Sequence, residues 1–181
     1  MSGPSRQEQA FVELVDRYLD RVFRYLRNLT RDDERARELS HETFIRLKAG
    51  LASRGSLSEA YVFTAARNTA LSAWRRHQSE SRKQEELEQQ EPRGGRSTSE
   101  FDGAVPSVTL ERKELRQALE HALGVLPEDQ RSVFLLSEVE GLKYEEIGRI
   151  MDVSSGTVAS RKHHAIRALR RELERTGHAL P

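Results

Sequence analysis

The chain has 181 residues and a mass of 20.7 kDa, with 36% hydrophobic and 33% charged residues, too polar for one thick core but sufficient for small helical bundles with charged outer faces. Its formal net charge is +1, so no basic coat covers it, and any hold on nucleic acid must come from local clusters of arginine and lysine. It contains no cysteine, which excludes a disulfide framework, a thiolate metal site and a thiol sensor; no run approaches the roughly 18 apolar residues of a bilayer span, and MSGPSRQEQAF lacks the apolar segment of a secretion signal, so a soluble cytoplasmic protein is expected.

From the amino terminus, Phe11, Leu14, Val15, Tyr18, Val22, Leu26 and Leu29 recur at intervals of three and four, the period of one helix face. Asp16, Arg17, Asp20, Arg21 and Arg24 fill much of the rest. Residues 30–34 are polar and acidic, as at a helix start where side-chain oxygens satisfy free amides. A second helix passes through Ala36, Leu39, Phe44 and Leu47, and Gly50 is expected to end it. After a loop at 52–55, Ser56-Leu-Ser-Glu59 has capping-box spacing and starts a third helix that reaches 74–77.

Beyond Gln78 the pattern disappears. Leu87, Phe101 and Val105 are isolated among Glu85, Glu86, Glu88, Gln89, Gln90 and Glu91, followed by Pro92-Arg-Gly-Gly-Arg-Ser-Thr-Ser. Such a segment cannot bury enough apolar surface to offset a chain entropy of about 1–2 kcal/mol per residue. Residues 79–109 therefore read as a flexible acidic linker between lobes at 8–78 and 110–176, its first part able to continue the third helix. Helical periodicity returns at 110–126. Pro127 opens a helix through Val133, Phe134, Leu136 and Val139, and Gly141 closes it. A short helix at 144–151, a turn at Asp152-Val153-Ser154 and a long basic helix from 155 to about 175 complete the chain. No segment alternates like a strand, so the fold class is all-α, in two small helical domains.

The last two helices carry the chemistry. A DNA-reading helix-turn-helix needs a short scaffold helix, a tight turn and a second helix pressed across the first. Ile147, Ile150, Val153 and Val158 supply the apolar seam, Gly148 permits close approach, and Ser154 caps the second helix. The first turns then present Ser155, Thr157, Ser160 and Arg161 away from the core, where hydroxyls, an arginine and free amides can meet base edges or phosphates. Arg161, Lys162, Arg167, Arg170, Arg171 and Arg175 follow. A charge run alone equally fits a solvated helix face; the capped turn and seam in front of it favour DNA.

LPEDQRSVFLLSEVEGLKYEEIGRIMDVSSGTVASRKHHAIRAL closely resembles sigma region 4 of extracytoplasmic-function (ECF) RNA polymerase sigma factors. FVELVDRYLDRVFRYLRNLT, ARELSHETFIRL and YVFTAARNTALSAWRRH resemble their region 2. The resemblance implies a subunit that binds core RNA polymerase, directs it to promoters and promotes DNA opening, with no catalytic residue, metal or cofactor of its own. It places Glu38, Leu39, His41, Glu42 and Phe44 at the clamp helices of the largest polymerase subunit, Leu39 and Phe44 shaping the helix and the other three facing the partner. It places region 4 at the flap of the second-largest subunit. For the −10 element it implies Phe63, Arg67, Asn68, Arg75 and Arg76, with the Asn68 amide reading an unstacked base and the arginines suited to phosphates of the melted strand; Tyr61, Phe63 and Trp74 each read more readily as core than as stacking platforms. For the −35 element it implies Ser155, Gly156, Thr157, Ser160, Arg161 and His164. It further implies an inhibitory anti-sigma partner, an acidic linker able to thread the polymerase cleft, and no membrane insertion. Ala159, Lys162-His163-His164, Lys143 and Arg46-Leu-Lys48 depart from the common family pattern and bear on promoter preference.

Two other classes are weighed. His41-Glu42-Thr-Phe-Ile45 begins like a zinc-protease helix but has Ile45 where the second histidine is required, and no phosphate-binding G-x-x-x-x-G-K-[ST] occurs. A stand-alone regulator would use the same helix-turn-helix but leave the amino-terminal lobe as a ligand or dimer domain, and would bind an operator without polymerase.

Overall fold

A computed structural model describes residues 5–87 and 110–178. Among these residues every regular element is a helix, and none is long and apolar enough to cross a membrane. The expected linker lies largely outside the described residues.

Helix α1 (Arg6–Thr30) opens with a reciprocal cap: the Glu8 amide donates to Ser5 Oγ at 3.2 Å and the Ser5 amide to Glu8 Oε2 at 2.6 Å. It ends where Arg31 turns left-handed at φ 61° and donates its amide to Arg27 O. Asp32 caps α2 (Asp33–Arg54) by accepting from the Arg35 amide at 2.9 Å. The expected stop at Gly50 is corrected: α2 continues through it and closes at Gly55, φ 75°. Gly50 is a contact glycine. A Cβ there would lie 2.9 Å from the Tyr61 hydroxyl, so its bareness lets α3 approach α2. The loop accordingly shifts from 52–55 to 55–58. The expected cap shifts as well: Ser58, not Ser56, accepts from the Tyr61 amide at 3.2 Å and starts α3 (Glu59–Leu87). Helix α3 thus runs ten residues past His77, into the segment read as linker.

Leu14, Tyr18, Val22 and Leu26 of α1 meet Leu39, Phe44 and Leu47 of α2 and Val62, Phe63 and Ala66 of α3 in one core. Full burial of each large side chain contributes about 1.5–3 kcal/mol. Phe11 and Val15, at the open end of the α1 stripe, are only half-buried.

The carboxy-terminal lobe comprises α4 (Leu110–Val125), α5 (Glu128–Phe134), a π turn (Leu135–Val139), α6 (Tyr144–Met151) and α7 (Ser155–Arg175). The sequence reads the third of these as a continuation of the helix after Pro127. Instead the Glu140 amide bonds Leu135 O at 3.1 Å and the Leu142 amide bonds Leu136 O at 3.0 Å, widening the last turn until Gly141, at φ 71°, ends it. The residue after the widened turn, Glu140, has a side chain only 1% exposed. α7 packs across α4, α5 and α6.

The two lobes share an interface. α3 lies against α6, and the carboxyl end of α1 against α5 and the π turn. The Tyr25 and Ser132 hydroxyls meet at 3.1 Å in a buried contact, and burial pushes the Tyr25 phenol well above its ordinary pKa despite that bond. Arg131 donates to Leu29 O at 2.7 Å, satisfying a terminal carbonyl of α1 from the other lobe. Burial lowers the Arg131 pKa from its ordinary value, with the Arg31 charge adding to the effect.

A candidate nucleic-acid and polymerase interface

The helix-turn-helix forms as its sequence dictates. Asp152 reverses the chain in the left-handed region at φ 55°, and Ser154 Oγ accepts from the Thr157 amide at 3.1 Å, fixing the first turn of α7. Ile147, Ile150 and Val158 are buried along the seam, and Val153 packs against them. A Cβ on Gly148 would stand 2.7 Å from Val153 O, so only glycine lets the turn fold onto α6. Gly156, Ser160, His163 and His164 are exposed, and Ser155, Thr157 and Arg161 are partly so. Lys143, at the N-cap of α6, supplies no side-chain bond; Glu146 reaches back to its amide at 3.1 Å, giving half of a capping box.

On the amino-terminal lobe, α2 turns Leu39 and Phe44 into the core and leaves Glu38 and His41 exposed, with Glu42 half-exposed. Glu42 accepts from Arg46 at 2.7 Å and lies 3.5 Å from Arg76 of α3; Glu38 pairs with Arg35 at 2.8 Å. Beside this face an open groove of about 650 Å³ runs between α1 and α2, floored by Phe11, Val15, Phe23 and Phe44 and edged by Arg37 and Lys48. Along α3, Asn68, Arg75 and Arg76 are exposed.

Three members of the expected −10 neighbourhood sit differently from expectation. Phe63 is 0% exposed, edge-on to Tyr25 with ring centroids 5.7 Å apart, so it shapes α3 from inside. Trp74, read as core, is 59% exposed; Tyr61 is half-buried, its ring under the Arg54 guanidinium at 4.9 Å. Arg67 is enclosed between the lobes, its side chain 11% exposed, with Nη2 3.0 Å from Asp129 Oδ1 and 3.3 Å from Glu128 Oε2.

The carboxylates that meet these bases escaped the sequence reading. Asp129 Oδ2 also lies 2.8 Å from Arg161 Nη2, Glu138 pairs with Lys162, and Glu140 accepts from Arg21 Nε at 2.9 Å with Arg24 at 3.5 Å. In sequence, Glu128 and Asp129 are merely an acidic first helical turn, favourable to the helix dipole. Nothing local announces a partner some sixty residues away. Burial raises the Glu128 pKa above the usual carboxylate range against the opposing pull of Arg67. The bond from Lys162 holds Glu138 below that range, and the same bond raises Lys162.

A helical amino-terminal lobe with an exposed acid-and-histidine face, joined to a helix-turn-helix lobe, defines a two-lobed DNA-reading protein. Residues 14–80 match the family described as Sigma-70 region 2, and residues 116–169 that described as Sigma-70, region 4. The chain is 31% identical over 167 residues to the RNA polymerase sigma-E factor of Streptomyces avermitilis, covering 91% of this chain and 85% of that one. It is 25% identical over 168 residues to the ECF RNA polymerase sigma factor SigW of Bacillus subtilis, covering 92% and 90%. In fold it resembles the sigma factor RpoE of Bartonella quintana, solved in complex with the anti-sigma factor NepR, with a TM-score of 0.74 and 24% identity over 91% of this chain and 96% of that one. The chain belongs to the ECF group of sigma-70 factors, the subunits that direct RNA polymerase to promoters. A stand-alone regulator would leave the region 2 match without a role.

Proposed function

We propose that the chain binds core polymerase mainly through the α2 face bearing Glu38, His41 and Glu42, with Leu39 and Phe44 holding that face in shape from the core. Region 4, taken as 110–176, docks at the flap of the second-largest subunit and lays the start of α7 into the major groove of the −35 element. Ser155, Gly156, Thr157, Ser160, Arg161 and His164 line that contact. Each good base contact supplies about 1–3 kcal/mol of discrimination. Region 2, taken as 8–78, captures an unstacked base of the −10 element at Asn68, while Arg67, Arg75 and Arg76 hold the strand's phosphates. Binding the melted product favours opening without any chemistry by this chain; nucleotide addition stays with the polymerase.

The observation that carries this reading is the presentation of Glu38, His41 and Asn68 on open helix faces in a chain that also holds a fully formed helix-turn-helix. Transcription in vitro with core enzyme, this chain and a promoter mapped from transcript 5′ ends tests it; no initiation dependent on the chain would overturn it. The inhibitory partner expected for the family meets surfaces of both lobes in the cytoplasm, and its capture from the native host is the corresponding test.

Two substitutions separate the steps. Asn68→Ala leaves polymerase binding near wild type and lowers the open-complex yield by about tenfold, the loss of one base contact of 1–3 kcal/mol. Potassium permanganate footprinting beside a polymerase pull-down reads both, and equal losses would remove the base-capture role. Arg161→Ala weakens region 4 binding to duplex DNA and reduces the salt slope by about one counterion if the guanidinium meets a phosphate. Affinity measured across a salt series checks this; an unchanged slope assigns Arg161 to a base edge.

A further inference from the structure

One carboxylate touches both DNA-binding lobes. Asp129, in the first turn of α5, places Oδ1 3.0 Å from Arg67 Nη2 of α3 and Oδ2 2.8 Å from Arg161 Nη2 of α7. Glu128 adds a second oxygen at Arg67, 3.3 Å away. The two arginines are the ones assigned above to −10 and −35 phosphates or bases, and here an anion of the chain itself occupies both. Around this point the closure is continued by Arg21 and Arg24 on Glu140, by Tyr25 on Ser132, and by Arg131 on Leu29 O.

We infer that Asp129 is an autoinhibitory latch: it stands in for DNA phosphate, holding Arg67 and Arg161 together and keeping the free chain closed until polymerase or promoter separates the lobes. The inference rests on the reading of those arginines as DNA contacts. Geometry argues for a releasable latch. Asp129 is partly solvated, so screening by water and salt limits each of its pairs. Arg67 is enclosed, yet its Nε is buried with no hydrogen-bond acceptor among the described residues, so closure leaves a charged donor incompletely satisfied. A strand phosphate reaching Arg67 gives that donor an acceptor. Arg161, more open than Arg67, is the arm from which DNA displaces Asp129 first.

Closure lowers apparent DNA affinity by the fraction of chains that are open. Because the chain has no cysteine, Glu34→Cys and Glu174→Cys, one exposed position on each lobe, accept a spin-label pair without competing sites. The test compares the full-length labelled chain with the same chain carrying Asp129→Asn, which keeps side-chain size and removes the charge; Glu128→Gln is a second, independent weakening. Interlobe distances come from pulsed electron resonance. Affinities come from fluorescence anisotropy with two probes, a random-sequence 30-base-pair duplex and a 20-nucleotide single strand. The expected result is a new long-distance population together with about three- to tenfold tighter binding of both probes, and Arg161→Ala on the Asp129→Asn background abolishes the gain for the duplex. Unchanged distances in both variants overturn the latch and leave the assignment of the arginines to DNA untouched. Longer distances without tighter binding overturn that assignment, and the inhibitory role with it.

Discussion

Phe63→Ala destabilises the amino-terminal lobe by about 3–5 kcal/mol, the cost of emptying a large aromatic site in a packed core. The ring is wholly buried among Tyr25 and the α1 stripe, with Tyr25 meeting it edge-on and the Arg21 guanidinium 5.4 Å above its centroid. Against a typical domain stability of 5–15 kcal/mol, such a loss leaves a small bundle near its unfolding threshold. Phe63→Leu keeps most of the volume and loses roughly 2 kcal/mol, part of it the aromatic pair. Chemical denaturation measures both. The contrast tests role as well as stability: with a purely internal ring, Phe63→Leu supports promoter opening at close to the wild-type level at low temperature. A ring that stacks on a melted base would make leucine and alanine equally defective in opening while only alanine was unstable. The structure places Phe63 inside, so the first pattern is expected, and Asn68, one turn further along α3 and exposed, is left as the base-facing group.

Legibility in the sequence followed the range of the interaction. Elements fixed by neighbours were readable: Ser154 capping α7, the Ile147–Ile150–Val158 seam, and the bounds of α6 and α7 all depend on residues within one or two helical turns. Punctuation by small residues was ambiguous for the same local reason. Gly50 and Gly55 both fit a helix end, and only the Tyr61 hydroxyl arriving from α3 shows that Gly50 serves an approach while Gly55 takes the left-handed turn. Ser56 and Ser58 likewise compete as caps, and the packing of α3 selects the second. The contacts that join the lobes were not legible at all. Tyr25, Arg67, Asp129, Ser132 and Glu140 are ordinary helix-surface residues by pattern, and their partners lie 62 to 119 positions away. The region 2 and region 4 patterns announced two DNA-contacting lobes, but no pattern within either lobe encodes which face closes on the other.

Gly148→Ala separates the fold of the carboxy-terminal lobe from its aim. Alanine gains roughly 1 kcal/mol in helix propensity over glycine, yet its Cβ would stand 2.7 Å from Val153 O, a backbone atom of the turn that cannot rotate aside. Relief must move the turn and with it the start of α7, at a cost of about 1–3 kcal/mol for such overpacking. The two effects partly offset, so thermal unfolding changes modestly. Base reading is less forgiving, because Ser155, Thr157, Ser160 and Arg161 are positioned by that turn and each lost base contact costs about 1–3 kcal/mol. Initiation from a duplex promoter with a −35 element is therefore expected to fall by about tenfold or more, while initiation from a pre-melted template lacking that element is retained. Gly156→Ala is the stability control: its Cβ would meet only Ser154 Oγ, at an ordinary 3.7 Å, and unfolding is unchanged. Equal loss of Gly148→Ala activity on both templates would mean that the lobe had unfolded, and that the glycine holds the bundle together instead of aiming the helix.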